Sequence, residues 1–188
     1  MFLDNLDSTF DYYAIIIIII DFGGQTKMPT YQISKVVKGT FHQGNSRFGN
    51  TAGTQCACNA LFAIFWSHIR QVSRWTNNDL DKILTEGDRL YKTLNTNSQL
   101  SFDELPNVIE IEGTVSNVIL RDLYDCEATL IQDFPFLRGM DWFSSNESST
   151  SSSLMVMEGL CTAIFHTAGL TFDAYYIFDS HSRDSRGL

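Results

Sequence analysis

The chain has 188 residues, of which 44% are hydrophobic and 13% are aromatic. This length suffices for one sizeable core but is short for two full domains, and the aromatic content excludes a disordered or coiled-coil chain. The 13 Lys and Arg against 22 Asp and Glu give a net charge of −9, without any large basic cluster. A nucleic-acid binder that relies on phosphate contacts is therefore not expected, and a neutral or basic partner is.

The cysteine count and the apolar runs indicate a reducing intracellular compartment, the cytoplasm or nucleus. The four cysteines are at an ordinary density for this length and no secretion signal accompanies them. The run Ile15–Ile20 is far shorter than the ~20 apolar residues of a membrane-spanning helix, so no membrane association is expected. It also follows acidic residues instead of the basic region of a signal peptide.

The first 30 residues differ in composition from the rest. Ile15–Ile20 is read either as a buried or edge β-strand or as a non-native appendage, because an exposed β-branched run promotes aggregation. Asp21–Thr30 contains two Gly and one Pro, the composition of a linker. We therefore predict a lead segment over residues 1–30 and a domain over residues 31–188.

The first half of that domain predicts one strand and two helices. Tyr31–Val37 has strand composition, and the Gly-rich, Asn-rich stretch Lys38–Thr54 predicts a functional loop. From Gln55 to about Val72 the apolar residues follow helical spacing, which predicts a central buried helix. Thr76, with Asp79 three residues later, predicts the start of a second helix. Its interior glycine is unfavourable for a helix.

The second half predicts strands. Val- and Ile-rich runs separated by turns predict short strands over Val108–Glu112, Val115–Leu120 and Ala128–Gln132. Ser144–Ser153, with seven serines, predicts an exposed loop. Three further apolar runs predict an antiparallel meander over Leu154–Met157, Leu160–Phe165 and Ala174–Phe178. Helices followed by strands indicate an α+β fold.

Cys56 is the first candidate for chemistry, because a Gly-containing loop leads directly from Gly53 into the predicted helix at this residue. A thiol at a helix N-terminus has a lowered pKa, since unpaired N–H groups and the helix dipole stabilise the thiolate. The alternative is that Cys56 and Cys58 are small residues packed under a helix. Taken alone, the cysteine does not decide between a nucleophile and a core residue.

His181 is the second candidate, two residues after Asp179. Side chains at i and i+2 of an extended chain share a face, so the carboxylate can bind one ring nitrogen and leave the other to accept a thiol proton. The alternative is a hydrophilic strand end. The rival bases lack so direct an acidic neighbour: His42, His68 and His166.

Three side-chain amides before Cys56 are candidate donors to a reaction oxyanion. Gln55 adjoins the cysteine and would have difficulty turning back, Asn50 lies six residues upstream, and Gln43 lies thirteen upstream. From the residues alone, the choice stays open.

Two motifs together carry a family resemblance. Gly53–Leu61 reads Gly-Thr-Gln-Cys-Ala-Cys-Asn-Ala-Leu, with Gln43 before it, and Tyr176–Arg183 reads Tyr-Ile-Phe-Asp-Ser-His-Ser-Arg. This combination resembles the deubiquitinating cysteine peptidase of herpesvirus large tegument proteins and related domains in animal mobile-element and viral-like reading frames. The resemblance covers roughly Val37 to Arg183. The motifs near the two ends of this range are specific to the family, and the sequence between them is not.

The resemblance implies a papain-like α+β fold, in which the central helix carries the nucleophile and packs on an antiparallel sheet that carries the base. It implies Cys56 as nucleophile, His181 as general base and Asp179 as its orienting partner. It also implies Gln43, and not Asn50 or Gln55, as the oxyanion donor. Asn59 matches a family position at which we expect a structural role.

The sequence departs from the family at two places. Ser180 stands where the family often has proline, which would fix the backbone φ, so a looser alignment of the flanking Asp and His is expected. The chain ends at Leu188, where relatives continue into further strands, so C-terminal truncation and weakened activity are expected.

The function that the resemblance implies is hydrolysis of isopeptide or peptide bonds after the ubiquitin C-terminus, with ubiquitin or ubiquitinated proteins as partners. No cofactor is expected, and no metal either, because Cys56 and Cys58 are too closely spaced for a usual zinc half-site. Two alternatives stay open: an inactive relative that binds ubiquitin or another partner, and a papain-like protease that cuts an unrelated polyprotein.

Overall fold

The computed structural model describes residues 14–21, 30–111, 113–118, 150–157, 159–168 and 173–181. In chain order, the α-helices and strands of this part are β1 (Ala14–Asp21), β2 (Thr30–Lys38), α1 (Cys56–Ile69), α2 (Asn77–Thr93), β3 (Val108–Ile111), β4 (Thr114–Asn117), β5 (Thr150–Met157), β6 (Leu160–Thr167) and β7 (Asp173–Asp179). Three short 3-10 helices lie at Ser46–Thr51, Val72–Arg74 and Phe102–Glu104. Two helices in the first half and a meander in the second confirm the predicted α+β class.

The main sheet has five strands in the order β2-β1-β7-β6-β5, and every neighbouring pair is antiparallel. The last three strands form the predicted meander. Gly159 has a φ of 78° at the turn between β5 and β6, a conformation that glycine adopts without strain. A separate two-stranded sheet pairs β3 with β4.

Strand β1 lies inside the main sheet and pairs with β2 on one side and β7 on the other. Of the two interpretations of Ile15–Ile20, the structure therefore shows the strand. Ala14 pairs with Lys38 of β2 and with Asp179 of β7. The end of β2 and the end of β7 consequently meet at the same end of the sheet. The predicted boundary at residue 30 stays a prediction.

Helix α1 lies between the main sheet and α2. On the sheet side it packs chiefly against β6. Its first eight residues are all buried, and Asn59 is the polar residue among them. Helix α2 begins after Thr76, whose backbone N–H donates to the Asp79 carboxylate at 2.8 Å, as the sequence predicts. The helix at 56–69 is shorter at its C-terminus than predicted, because Arg70 is extended.

The main correction concerns the end of Ser144–Ser153, a stretch whose serine content predicts an exposed loop and of which residues 144–149 lie outside the described residues. Residues 150–153 form the start of β5, where Ser152 pairs with Phe165 and Ser153 with Ile164. Backbone pairing with β6 satisfies these peptide groups whatever the polarity of the side chains. The second predicted strand, Val115–Leu120, is observed at Thr114–Asn117. The predicted strand Ala128–Gln132 lies outside the described residues.

Neither of the two helices in the described ranges is long and apolar enough to cross a membrane.

Candidate active site

The loop between β2 and α1 is anchored on α2 at both ends. Near its start, the Thr40 backbone N–H and hydroxyl donate to the Asp81 carboxylate at 2.8 and 2.6 Å. Near its end, the Thr51 hydroxyl donates to the buried Asp88 carboxylate at 2.5 Å. A long loop anchored in this way can hold a side chain in a fixed place.

Cys56 is the first residue of α1 and is 3% exposed. The chain enters the helix through Gly53, whose φ of 86° favours glycine. The N-cap residue Gln55 makes no side-chain capping bond, so the first N–H groups of the helix are available to stabilise a negative charge on the thiol. The helix start therefore places Cys56 where backbone N–H groups and the helix dipole can stabilise a thiolate.

His181 and Asp179 form a hydrogen-bonded pair at the end of β7. The Nδ1 atom of His181 lies 2.6 Å from the Asp179 Oδ1 atom, which also accepts the His181 backbone N–H at 3.0 Å. Both side chains are largely buried. Nε2 is buried and meets no partner at standard hydrogen-bond distance and angle within the described ranges. The Cys56 thiol interacts with this imidazole at a looser geometry, so Nε2 is the nitrogen left for that thiol.

The pKa values show that Cys56 and His181 are electrostatically coupled. Burial alone would raise the pKa of the Cys56 thiol, but hydrogen bonding and charge from His181, together with backbone N–H groups, leave it lowered from 9.0. For His181, burial lowers the pKa, yet the Asp179 carboxylate and the Cys56 thiol outweigh it and raise the pKa to about 9. Both shifts favour a thiolate–imidazolium pair.

Gln43 lies against the strand end that carries this pair. Its backbone N–H donates to the Ser180 carbonyl at 3.1 Å, and its side-chain Oε1 accepts the Ser180 hydroxyl at 2.9 Å. Asn59, one turn into α1, donates to the same Oε1 at 3.3 Å. The structure thus brings Gln43, Cys56, Asp179 and His181 into one cluster, although these residues are widely separated in sequence.

The rival candidates occupy other places. Asn50 is exposed, and Gln55 uses its side-chain amide inside the loop, where Nε2 donates to the Gln43 carbonyl at 3.3 Å. His42 accepts the Gly44 backbone N–H. His68 is exposed near the far end of α1.

His166 is buried on β6, with its ring centroid 4.9 Å from that of Tyr175.

The other described cysteines differ from Cys56 in their electrostatics. Cys58 and Cys161 are buried free thiols, and burial raises the pKa of each to about 12. They are therefore protonated and unreactive near neutral pH. Within the described residues, no group of three or more His, Cys, Asp or Glu side chains is arranged to hold a metal ion.

Ser180 corrects one expectation. The absence of proline was expected to loosen the Asp179–His181 pair, but the pair is hydrogen-bonded at 2.6 Å. Ser180 is 1% exposed and bonds to Gln43 through both its hydroxyl and its carbonyl, which ties the strand end to the loop. Sequence reasoning missed this contact. The only sequence signal was a hydroxyl at a position between two candidate catalytic residues.

Comparisons with known proteins identify the family and the fold of this chain. Residues 38–188 match the model of the family described as herpesvirus tegument protein, N-terminal conserved region. The large tegument protein deneddylase of human cytomegalovirus strain AD169 is 27% identical over 170 residues, which is 79% of this chain and 7% of that protein. The same values hold for the proteins of strains Merlin and Towne. The chain thus spans a small fraction of these relatives.

One solved structure is similar in fold. It is the crystal structure of the ubiquitin-specific protease encoded by murine cytomegalovirus tegument protein M48, in complex with a ubiquitin-based suicide substrate. The TM-score is 0.59 with 19% sequence identity, and the match covers 80% of this chain and 69% of that one. This likeness confirms the predicted papain-like fold. With most of its length matched by the family model, the chain belongs to the family of the herpesvirus tegument protein N-terminal conserved region.

Proposed function

We propose that this chain is a cysteine peptidase that cleaves the isopeptide or peptide bond after the C-terminus of ubiquitin or a ubiquitin-like modifier. The observation that carries the proposal is the convergence of four side chains from three separate segments in a chain of this family. Cys56 comes from the start of α1, Asp179 and His181 from the end of β7, and Gln43 from the anchored loop.

In the proposed mechanism, the Cys56 thiolate attacks the carbonyl carbon of the last residue of the modifier and forms a C–S bond. The carbonyl oxygen becomes an oxyanion, and imidazolium His181 gives its proton to the departing amine as the C–N bond breaks. Water then attacks the thioester, His181 accepts its proton, and the thiolate leaves. Asp179 holds Nδ1 throughout, so that Nε2 stays directed to the reaction.

Gln43 is proposed as the oxyanion donor, together with the Cys56 backbone N–H. The side chain is 3% exposed, and its Oε1 is occupied by two donors. Its Nε2 hydrogens are therefore the groups that can stabilise the developing charge, and such donors act most strongly where water is excluded.

The proposed substrate class rests on the comparisons and on charge. One relative is named a deneddylase and the solved structure is a ubiquitin-specific protease, so both ubiquitin and a ubiquitin-like modifier fit the family. A ubiquitin tail ends in arginine followed by two glycines, and the net charge of −9 suits such a basic partner.

Steady-state hydrolysis tests this function. The purified chain is given ubiquitin with a fluorogenic C-terminal amide and, in parallel, the same derivative of the modifier that deneddylases remove. We expect turnover of at least one of them by the wild type and none by Cys56→Ala, because the substitution removes the nucleophile.

Cys58→Ala is the matched control. It removes a thiol from the same helix whose pKa is raised to about 12, and we expect it to retain turnover. A folded wild-type chain that hydrolyses neither modifier, or a Cys56→Ala variant that still does, would contradict the proposal.

A further inference from the structure

Ser180 separates Asp179 from His181 in the chain, yet its hydrogen bonds go to Gln43. The hydroxyl donates to Gln43 Oε1 at 2.9 Å, and the carbonyl accepts the Gln43 backbone N–H at 3.1 Å. Ser180 is 1% exposed, so water does not compete for these contacts. The residue links the segment of the proposed base to the segment of the proposed oxyanion donor.

A second donor reaches the same oxygen from α1. Asn59 Nδ2 lies 3.3 Å from Gln43 Oε1, and Asn59 is 0% exposed. Two donors on one oxygen fix which way a planar carboxamide faces. If the Gln43 amide turned over, its NH2 group would oppose the NH2 group of Asn59, and buried donors would lose their partner.

The backbone of Gln43 is fixed as well. Its carbonyl accepts the Gly53 N–H at 3.1 Å and the Gln55 side-chain amide at 3.3 Å. Gln43 is therefore held at its N–H, its carbonyl and its Oε1. Its Nε2 donates no hydrogen bond to any described residue, which leaves this donor available for a ligand.

We propose that Ser180 is a positioning residue, which together with Asn59 holds the Gln43 carboxamide so that Nε2 is directed to the oxyanion. This inference rests on the proposed function for the identity of the reaction. In this assignment, Ser180 affects the reaction only by orienting the Gln43 carboxamide. A preorganised donor is most effective because it need not reorient during the reaction.

A double-mutant cycle tests the assignment. In the wild-type background, we expect Ser180→Ala to lower kcat by about 3- to 30-fold, a smaller decrease than that expected for Gln43→Ala. KM should stay within about twofold of the wild-type value. In a Gln43→Ala background, the same substitution should change kcat by less than about twofold, because no carboxamide is left to position. An equal loss in both backgrounds, or no loss in the first, would overturn the assignment.

Two variants control for folding and for serine loss. Ser180→Thr keeps a hydroxyl and should recover at least part of kcat. Ser153→Ala makes the same chemical change in β5, where the hydroxyl donates only to a backbone carbonyl, and should leave kcat unchanged.

A measurement on the free protein separates this inference from the proposed function. NMR of the Gln43 side-chain amide should show an ordered NH2 group in the wild type and a mobile one in Ser180→Ala, with backbone spectra otherwise alike. If the wild type hydrolyses neither modifier, the proposed function fails, but the amide comparison still decides whether Ser180 positions Gln43. An amide equally ordered in both proteins would overturn the inference.

Discussion

At the scale of single residues, the charge state of Cys56 and His181 decides when the site can react. The pKa of Cys56 is lowered and that of His181 is raised to about 9, and each group contributes to the shift of the other. Such a pair titrates with macroscopic pKa values that belong to both groups. The lowered Cys56 pKa and the raised His181 pKa both favour the thiolate–imidazolium form of the pair over the neutral form.

The first prediction concerns the pH dependence of kcat/KM. Activity should rise as Cys56 loses its proton below pH 9.0 and should fall as His181 loses its proton at about pH 9. Asp179→Asn removes a cause of the raised His181 pKa, so it should move the alkaline limit to lower pH. An alkaline limit that does not move in Asp179→Asn would contradict Asp179 as a cause of the raised His181 pKa.

The same shifts determine how the pair affects stability. A raised His181 pKa stabilises the fold fully below its unfolded value of 6.5, and this contribution is lost as the pH rises through about 9. A lowered Cys56 pKa stabilises the fold above the unfolded value of 9.0, and this contribution is lost as the pH falls through the folded pKa.

The second prediction concerns Gln43. Replacing it with Ala should lower kcat by about 10²- to 10³-fold, since one preorganised oxyanion donor is removed. Binding of a ubiquitin probe should stay measurable, because the thiol and its base are retained. A kcat equal to that of the wild type would transfer the role to Asn50 or to backbone groups alone.

The sequence predicts these residues unequally. Cys56 at a helix start and the close spacing of Asp179 and His181 follow from local rules. Gln43 does not, because the choice among three upstream amides depends on how the loop folds back, and only the family resemblance selects it. The contact of Ser180 with Gln43 is not predicted, since it joins residues 137 positions apart in the sequence.

At the scale of secondary-structure elements, the crossing of α1 and α2 determines where Asn59 lies. A Cβ atom at Gly87 would lie 2.8 Å from the Asn59 Cα atom, so only glycine permits this close approach. The interior glycine that weakens the sequence prediction of α2 is therefore explained by helix packing. Because Asn59 donates a hydrogen bond to Gln43 Oε1, the packing of α1 on α2 also affects the position of the Gln43 side chain.

The third prediction follows from this contact. Gly87→Ala should lower the free energy of unfolding, because overpacking costs about 1–3 kcal/mol and exceeds the gain of about 1 kcal/mol in helix propensity. It should also lower kcat, since Asn59 is displaced. Chemical denaturation measures the first effect. Thr85→Ala on the exposed face of α2 is the control, expected within about 0.5 kcal/mol of the wild type. A Gly87→Ala variant as stable as that control would contradict the packing.

The helices and strands are predicted where a local pattern determines them. The capped start of α2 and the apolar runs of the meander correspond to observed elements. The start of β5 at residues 150–153 could not be predicted, because its serines are ordered by pairing with β6 and not by their own preference.

At the scale of the whole molecule, the sheet joins the first strand of the chain to the site. Ala14 pairs with Lys38 and with Asp179, so β1 lies between the strand that leads into the Gln43 loop and the strand that ends at Asp179. Strand β1 is the only described neighbour of β2 in this sheet. Its position favours a folding unit that includes residues 14–21.

The fourth prediction tests that view against the predicted boundary at residue 30. Removing residues 1–21 should lower the melting temperature and kcat together, because β2 and β7 lose their common neighbour. Thermal unfolding followed by circular dichroism measures the first effect. Full stability and activity of the shortened chain would support a separable lead over residues 1–30 instead.

The central claim is that Cys56 attacks the C-terminus of a ubiquitin-type modifier. The most direct measurement is to react the wild-type chain with ubiquitin that carries a C-terminal electrophile, and with the corresponding ubiquitin-like probe, and to locate the adduct by peptide mass spectrometry. The account predicts an adduct with at least one probe, located on Cys56 and absent from Cys56→Ala. An adduct on another cysteine, or a folded chain that neither probe labels, would contradict it.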